Sequence, residues 1–314
     1  MKVLVSCYIT YNAVNWYRGF GTYSHMAETY STNEDLITWD KLNDIDCLVM
    51  IRPNNYDQVD SLNFAKSLGI KTVVDYDDDV FNSNPSSPAY EKTISKEWIE
   101  CSIKSLKIAD HVTVSTQAIA DSFVKQGVDP AKIFIIPNAY NDYHRPFDPK
   151  PNLTDRIFIR GDHFAHPDIL SQFESIRMIS RMYKLVAMGE MQLFFPFFKF
   201  EECYQYLTPP FYFDSLPTLN CRAMMKPMLD TVFNRAKSNC SWIEATSAGM
   251  VLIAPNLPEF QRPGVVLTDH FFAGVKHVME DDAYLEAFNL SKEYIKNNLL
   301  LSKVNELREN MLTQ

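Results

Sequence analysis

An α/β chain of two parallel-sheet domains in succession is the fold class that the sequence predicts, on three observations. Its 314 residues exceed the usual size of one hydrophobic core, so two domains of about 150 residues are expected. Short apolar runs alternate with longer segments of helical spacing, the pattern of strands each followed by a crossover helix. Between the two series, residues 138–155 lose periodicity and carry Pro146, Pro149 and Pro151 among charged residues, the composition of a linker. The domains are accordingly set at 1–145 and 146–314, with the last helix a candidate to cross back.

In the first domain, apolar runs place strands at residues 3–7, 47–51, 72–75, 111–114 and 133–136. Helical spacing fills 56–68, 94–108 and 116–126, and Gly69 and Gly127 stand where C-terminal helix stops are expected. The second domain opens with a strand at 156–160 and a helix at 169–179. Strands at 184–188, 224–228 and 250–254 follow, then amphipathic helices at 282–300 and 302–311. Residues 191–219, rich in Phe, Tyr and Pro, give no assignment beyond a helical piece near 200–206; their aromatics read as core or interdomain packing.

Composition narrows the function classes. Hydrophobic content of 46% with 22% charged residues is that of a globular protein, and no apolar run approaches the roughly 20 residues of a membrane span. The opening Met1-Lys2-Val3-Leu4-Val5-Ser6-Cys7 is too short for a signal peptide and reads as the first buried strand. Six scattered cysteines without Cys-x-x-Cys spacing fit reduced thiols in a cytoplasm, not a zinc site or a disulfide framework. A formal net charge of −9 opposes broad contact with a phosphate backbone. No Gly-x4-Gly-Lys-Ser/Thr, Gly-x-Ser-x-Gly or His-Glu-x-x-His occurs, which removes the corresponding kinase, hydrolase and metalloprotease readings. His25, His144, His270 and His277 lack partner spacing and read as structural.

The most informative stretch is Asn234-Arg235-Ala236-Lys237-Ser238-Asn239-Cys240-Ser241-Trp242-Ile243-Glu244, a cationic, Ser/Asn-rich turn leading into a short helix. The free N–H groups and positive end of such a helix attract phosphate, and Lys237 adds a full charge. Glu244, one to two turns in, can accept two hydroxyl hydrogen bonds from a ribose. An ordinary capped amphipathic helix is the plainer reading of the same residues. In the first domain, Asp75-Tyr76-Asp77-Asp78-Asp79 follows a strand. Acids this close repel and raise at least one pKa unless cations or hydrogen bonds compensate, as in general bases and metal sites. Asp77, Asp78 and Asp79 are therefore the catalytic candidates, with an Asp-rich capping loop as the alternative. Tyr17-Arg18-Gly19-Phe20-Gly21 lacks the third glycine of a dinucleotide loop, so an NAD reading is rejected. Arg52-Pro53 ends the second strand in a similar position.

Three blocks resemble one family. Ala109-Asp110-His111-Val112-Thr113-Val114-Ser115 and Ile135-Ile136-Pro137-Asn138-Ala139 resemble the end of the N-terminal domain in two-Rossmann (GT-B) glycosyltransferases, Ala139 replacing the common glycine. Ile159-Arg160-Gly161-Asp162-His163-Phe164-Ala165-His166-Pro167-Asp168 resembles the strand-to-helix turn of the same enzymes. Lys226-Pro227-Met228-Leu229-Asp230-Thr231-Val232-Phe233, with the turn after it, resembles a block in phage and bacterial members related to the large retaining family (glycosyltransferase family 4-like). The resemblance implies two Rossmann-like domains facing each other across a cleft, the expected ligand position between the carboxyl ends of both sheets.

It further implies transfer of a hexosyl or pentosyl group from a nucleotide-diphospho-sugar to an acceptor hydroxyl, with retention. Donor binding would fall to Arg160, Gly161, His166, Asn234, Lys237, Ser238 and Glu244, with Lys237 and Ser238 on the diphosphate. Glu244 matches the second glutamate of the family's Glu-x7-Glu signature and would bind the ribose. The first falls at Ala236 and is missing, leaving Asn234, Arg235 or the backbone to substitute. Arg18 and Gly19 would lie on the acceptor side. No metal and no cofactor beyond the donor substrate is implied. Retention needs no essential base; inversion would draw on Asp77, Asp78 or Asp79. The acceptor is a hydroxymethylated DNA base, as in phage DNA modification in a host cytoplasm, or a glycan. A two-domain nucleotide- or sugar-binding protein without turnover is the alternative class.

Overall fold

The computed structural model describes residues 1–7, 12–26, 28–83, 85, 90–161 and 165–314. It forms two compact units. The first comprises Met1–Tyr143, Ala236–Ser238 and Leu301–Gln314; the second comprises His144–Arg235 and Asn239–Leu300. Each contains one six-stranded, wholly parallel sheet with helices, so the α/β class holds for both.

The first sheet consists of β1 (Val3–Ser6), β2 (Thr29–Thr32), β3 (Cys47–Ile51), β4 (Lys71–Tyr76), β5 (His111–Val114) and β6 (Ile133–Ile135), in the order β2-β1-β3-β4-β5-β6. Alternate side chains enter two cores, one on each face. Val3, Val5, Val49, Ile51 and Val73 pack with Val304, Met311 and Leu312 of the Leu301–Thr313 helix. Leu4, Leu48, Met50, Val74 and Tyr76 pack with Leu62, Leu106 and Phe123 of the crossover helices. Burial on both faces explains why β1, β3 and β4 read as continuous apolar runs. Gly69 and Gly127 end their helices in the left-handed region, at φ 75° and 80°.

The second sheet consists of β7 (Arg156–Gly161), β8 (Lys184–Gly189), β9 (Phe200–Tyr204), β10 (Ala223–Met225), β11 (Val251–Ala254) and β12 (Val266–Leu267), in the order β12-β11-β10-β7-β8-β9. Counted within this unit, that is the 3-2-1-4-5-6 arrangement of Rossmann domains, whose order reverses between β7 and β10. In the first sheet the order reverses between β1 and β3. Ligands of open α/β sheets bind outside the carboxyl ends of strands at such reversals. Arg160 and Gly161 end β7, and Arg52 follows β3 directly.

Several expected elements are corrected. The helical piece near 200–206 is the edge strand β9, paired with β8. The strand expected at 224–228 stops at Met225, before Pro227, which has no N–H to give a ladder. The single helix expected at 169–179 is two, His166–Ser171 and Phe173–Met182, broken at Gln172. Strands β2 and β12 and the Phe271–Met279 helix were not anticipated. Among the described residues, no helix is long and apolar enough to cross a membrane.

Candidate functional site

In the second unit the site is built around Glu244. Its helix, Cys240–Ser247, has six consecutive buried residues from Ser241 to Thr246, because it packs against β11 and the Asp281–Asn298 helix. Trp242 Nε1 donates to Ser291 Oγ at 2.9 Å and fixes the helix's rotation. Gly249, at φ 77°, ends this segment where an added Cβ would stand 2.1 Å from the Lys150 carbonyl oxygen; no other residue fits there.

That packing buries the Glu244 carboxylate at the end of β7. Arg160 Nη1 donates to Glu244 Oε2 at 3.0 Å, and Tyr212 OH donates to the same oxygen at 3.0 Å. The Arg160 guanidinium lies 4.9 Å from the centre of the Tyr212 ring. Glu244 is 4% exposed, but the Arg160 side chain covering it is 30% exposed. Burial pushes the Tyr212 phenol well above its ordinary range, and the Glu244 charge adds to it against the opposing pull of Arg160, so the phenol stays a donor. Tyr212 comes from the aromatic stretch that defied assignment, and only the tertiary fold reveals its role.

Gly161 is required by packing: an added Cβ would stand 2.8 Å from Ile169 Cδ1 and 2.9 Å from Met191 Sδ. Its neighbour across the ladder, Gly189, would put a Cβ 2.0 Å from the Gly161 carbonyl oxygen. Two glycines thus let the ends of β7 and β8 close tightly. His166 donates from Nε2 to the Glu190 carbonyl at 2.8 Å and meets the Phe194 ring edge-on. Residues 162–164 of the same turn lie outside the described residues. Asn234 is buried, and its amide donates to the Leu229 carbonyl at 2.9 Å and to Asp168 Oδ1 at 3.3 Å. Asp168 also accepts from the Leu229 N–H at 2.8 Å, so the pair pins the 229–234 loop.

In the first unit, Lys237 Nζ donates to Asp78 Oδ1 at 2.6 Å. Ser238 Oγ accepts from Asn138 Nδ2 at 2.9 Å, and the Ala236 carbonyl accepts from Thr116 Oγ1 at 3.1 Å. Asn138 belongs to the Ile-Pro-Asn-Ala segment that follows β6, which gives that motif a physical use. Arg52 donates to Asp77 Oδ1 at 2.5 Å and to Asp78 Oδ2 at 2.6 Å. Asp79 is turned inward and accepts from the Phe81 N–H, Asn82 Nδ2 and Ser122 Oγ, the role of a turn organiser. Burial pushes the Asp77 carboxyl above its ordinary range, only partly offset by Arg52. For Asp78, burial alone would raise the carboxyl, but Lys237 and Arg52 outweigh it and hold it far below that range. Three neighbouring acids therefore have three different environments. Among the described residues no cluster of three potential ligands could hold a metal ion.

Arg18 and Gly19, expected on the acceptor side, are interior. Arg18 is fully buried and grips Asp75 through Nε at 2.9 Å and Nη2 at 2.7 Å. Its Nη1 donates to the Ile136 carbonyl at 2.6 Å and to Asn138 Oδ1 at 3.2 Å. A guanidinium with no exposed surface and protein acceptors on every side ties the sheet to its exit loop rather than meeting a solute. Gly19 packs so closely that an added Cβ would lie 2.6 Å from Asn15 Oδ1.

No family model and no curated protein matches the sequence. Solved structures do match. An α-glucosyltransferase in complex with UDP and a 13-mer DNA containing an HMU base is similar with a TM-score of 0.62 at 12% identity, over 91% of this chain and 85% of the other. HepE from Anabaena, in complex with UDP and glucose, has a TM-score of 0.63 at 10% identity, over 91% and 85%. TarM from S. aureus, in complex with fondaparinux, α-GlcNAc-glycerol and UDP, has a TM-score of 0.57 at 12% identity. The match covers 85% of this chain, which spans only 55% of TarM. At these identities the likeness establishes the architecture: the chain has the GT-B fold of the glycosyltransferases that it matches.

Proposed function

We propose that the chain is a glycosyltransferase that moves a hexosyl or pentosyl group from a nucleotide-diphospho-sugar to an acceptor hydroxyl, with retention at the anomeric carbon. The observation that carries this reading is Glu244, a carboxylate held by Arg160 and Tyr212 at the strand-order reversal, on the helix that follows Lys237 and Ser238. The nucleotide's ribose takes Glu244 and its diphosphate takes Arg160; Lys237 and Ser238 are assigned to the diphosphate from their place in the chain, just before the Glu244 helix. Gly161, His166 and Asn234 shape the surrounding backbone. Arg160, the more exposed partner, turns to the diphosphate, while Tyr212 and the ribose hydroxyls hydrogen-bond the Glu244 carboxylate that it leaves.

In the reaction the bond from the anomeric carbon to the diphosphate oxygen breaks, a bond to the acceptor oxygen forms, and the acceptor's hydroxyl proton passes to the departing diphosphate on the same face. Negative charge grows on the departing diphosphate, where preorganised cations are most effective. Retention needs no dedicated base. An inverting course would need one, and of the three candidate aspartates Asp77 is the best placed electrostatically, since its carboxyl is raised by burial.

For the acceptor we propose a hydroxymethylated base in DNA, as in phage DNA modification, or a glycan; the match to an α-glucosyltransferase in complex with DNA containing an HMU base supports considering the first. The charge of −9 favours the glycan. Incubation with labelled nucleotide sugars and each acceptor decides, label in hydroxymethylated DNA or in oligosaccharide being the readout. A binding protein without turnover is the second reading. Ala236, at the position of the missing glutamate, is 2% exposed within an apolar core, so no carboxylate fits there without burial.

The experiment that tests the proposal is a thermal-shift screen against nucleoside diphosphates and nucleotide sugars, repeated with Glu244→Ala. A ligand of the native state raises the melting temperature by mass action. A shift with one nucleotide that Glu244→Ala abolishes supports the donor site, and no shift with any removes it. Sugar release from the bound donor separates the enzyme from the binder.

A further inference from the structure

Lys237, assigned above to the donor diphosphate, already has an anionic partner. One oxygen of Asp78 accepts from Lys237 Nζ at 2.6 Å and the other accepts from Arg52 Nη2 at 2.6 Å. Two cations from distant chain positions converge on one carboxylate, the arrangement that charge-assisted recognition of a phosphate uses.

Two further observations mark this as a prepared anion seat. Arg52 follows β3 at the strand-order reversal and takes a left-handed backbone, φ 51°, which a side chain of its size disfavours. Its N–H donates to the Asp75 carbonyl at 2.8 Å, which holds that turn in place. Strain of this kind persists where surroundings enforce it, notably at ligand clamps. The seat is also reachable: the Asp78 side chain is 24% exposed and that of Lys237 33%. Thr116 and Asn138 fix the backbone and hydroxyl on either side of Lys237, so its ammonium can change partner without moving the loop.

We propose that Asp78 is a built-in stand-in for phosphate, which holds Lys237 and Arg52 in ligand-binding position and yields Lys237 to the diphosphate of the donor. The inference rests on the donor-site reading of Lys237. No covalent step is involved: one ion pair is exchanged for another. An entering anion must displace a carboxylate already in place, so Asp78 lowers affinity for every phosphate while keeping the two cations from repelling each other. Weakly binding anions are rejected, and a multiply charged diphosphate is accepted.

The test is calorimetric titration of UDP, GDP and ADP into the wild-type chain, Asp78→Ser, Asp78→Asn, Lys237→Ala and the Asp78→Ser/Lys237→Ala double variant. Asp78→Ser tightens binding by about threefold to tenfold, the range of a part-buried ion-pair coupling. Asp78→Asn tightens it less, because its amide oxygen still accepts from Lys237; it carries the same sign if the Ser variant fails to fold. In the Lys237→Ala background the gain shrinks to less than about twofold. Unchanged or weaker binding in the Asp78 variants, or a gain that survives without Lys237, overturns the stand-in and leaves the donor site intact. Absence of binding by all three nucleotides to every protein overturns both.

Discussion

Each unit holds a buried carboxylate against an arginine, and the two pairs differ in one respect. Arg18 and Asp75 are 0% and 1% exposed; Arg160 and Glu244 are 30% and 4% exposed. In the first pair both partners are sealed and Arg18 is further bound to Ile136 and Asn138, so neither can change partner without leaving a charge uncompensated. In the second, the arginine reaches water and can turn toward a ligand, because Tyr212 still donates to the buried Glu244 carboxylate. Identical functional groups thus make a sealed strut in one place and a solvent-reachable pair in the other, and the second is the one proposed to meet a ligand.

The largest expected effect breaks the strut. Arg18→Met strands the Asp75 charge and lowers unfolding free energy by about 3–5 kcal/mol in urea titrations. Arg18→Met with Asp75→Leu recovers most of that loss. Next, Glu244→Gln weakens binding of the donor nucleotide by about 10–100-fold, as expected for lost hydrogen bonds to a charged acceptor, while costing less stability than Arg18→Met. Equal stability losses in the two variants would erase the distinction drawn here. Tyr212→Phe removes one hydrogen-bond donor to Glu244 and weakens nucleotide binding by roughly threefold to tenfold, a change of about 1 kcal/mol, read by calorimetry against the wild-type chain.

The smallest effect is a pH dependence of stability. The Asp78 carboxyl is held below its unfolded value, so its contribution is fully present above about pH 4 and is lost as pH falls through the folded pKa. The stability gap between the wild-type chain and Asp78→Asn therefore closes in acid. Asp77 has the opposite sign: its raised carboxyl costs stability at neutral pH, and acid relieves that cost. Denaturant titrations of Asp78→Asn and Asp77→Asn from pH 7 to about pH 3 separate the two.

The central strands were legible because they are buried on both faces; Cys47–Ile51 is apolar at every position. Edge strands lack that signal. Thr29–Thr32 is half exposed and polar, and Phe200–Tyr204 carries Glu201 and Glu202, which suited a helix as well as a strand. The turn proposed for the donor and the helix after it could be picked out for a local reason, since they are contiguous in the chain. Its partners were not. Tyr212 lies 32 positions from Glu244, Asn138 lies 100 from Ser238 and Asp78 lies 159 from Lys237, so no local pattern links them. The burial of Arg18 was not legible, because a charged residue between a tyrosine and a glycine gives no sign that Asp75 will pair with it in the interior.

The Leu301–Thr313 helix gives the first unit a particular relation to time. Its Val304, Met311 and Leu312 fill the core beneath β1 and β3, Asn305 donates to the Thr22 carbonyl at 3.2 Å, and Lys71 reaches the Leu312 carbonyl at 2.7 Å. During synthesis, residues 144–300 must emerge before this wall arrives, a delay on the order of ten seconds at roughly 5–20 residues per second. For that interval the nascent first unit presents Val3, Val5, Val49 and Val73 to the cytosol of whatever cell makes it, and depends on chaperones or on speed. A fragment cut after residue 143 never leaves that interval, and trimming the chain at residue 300 exposes the same valines in the finished fold.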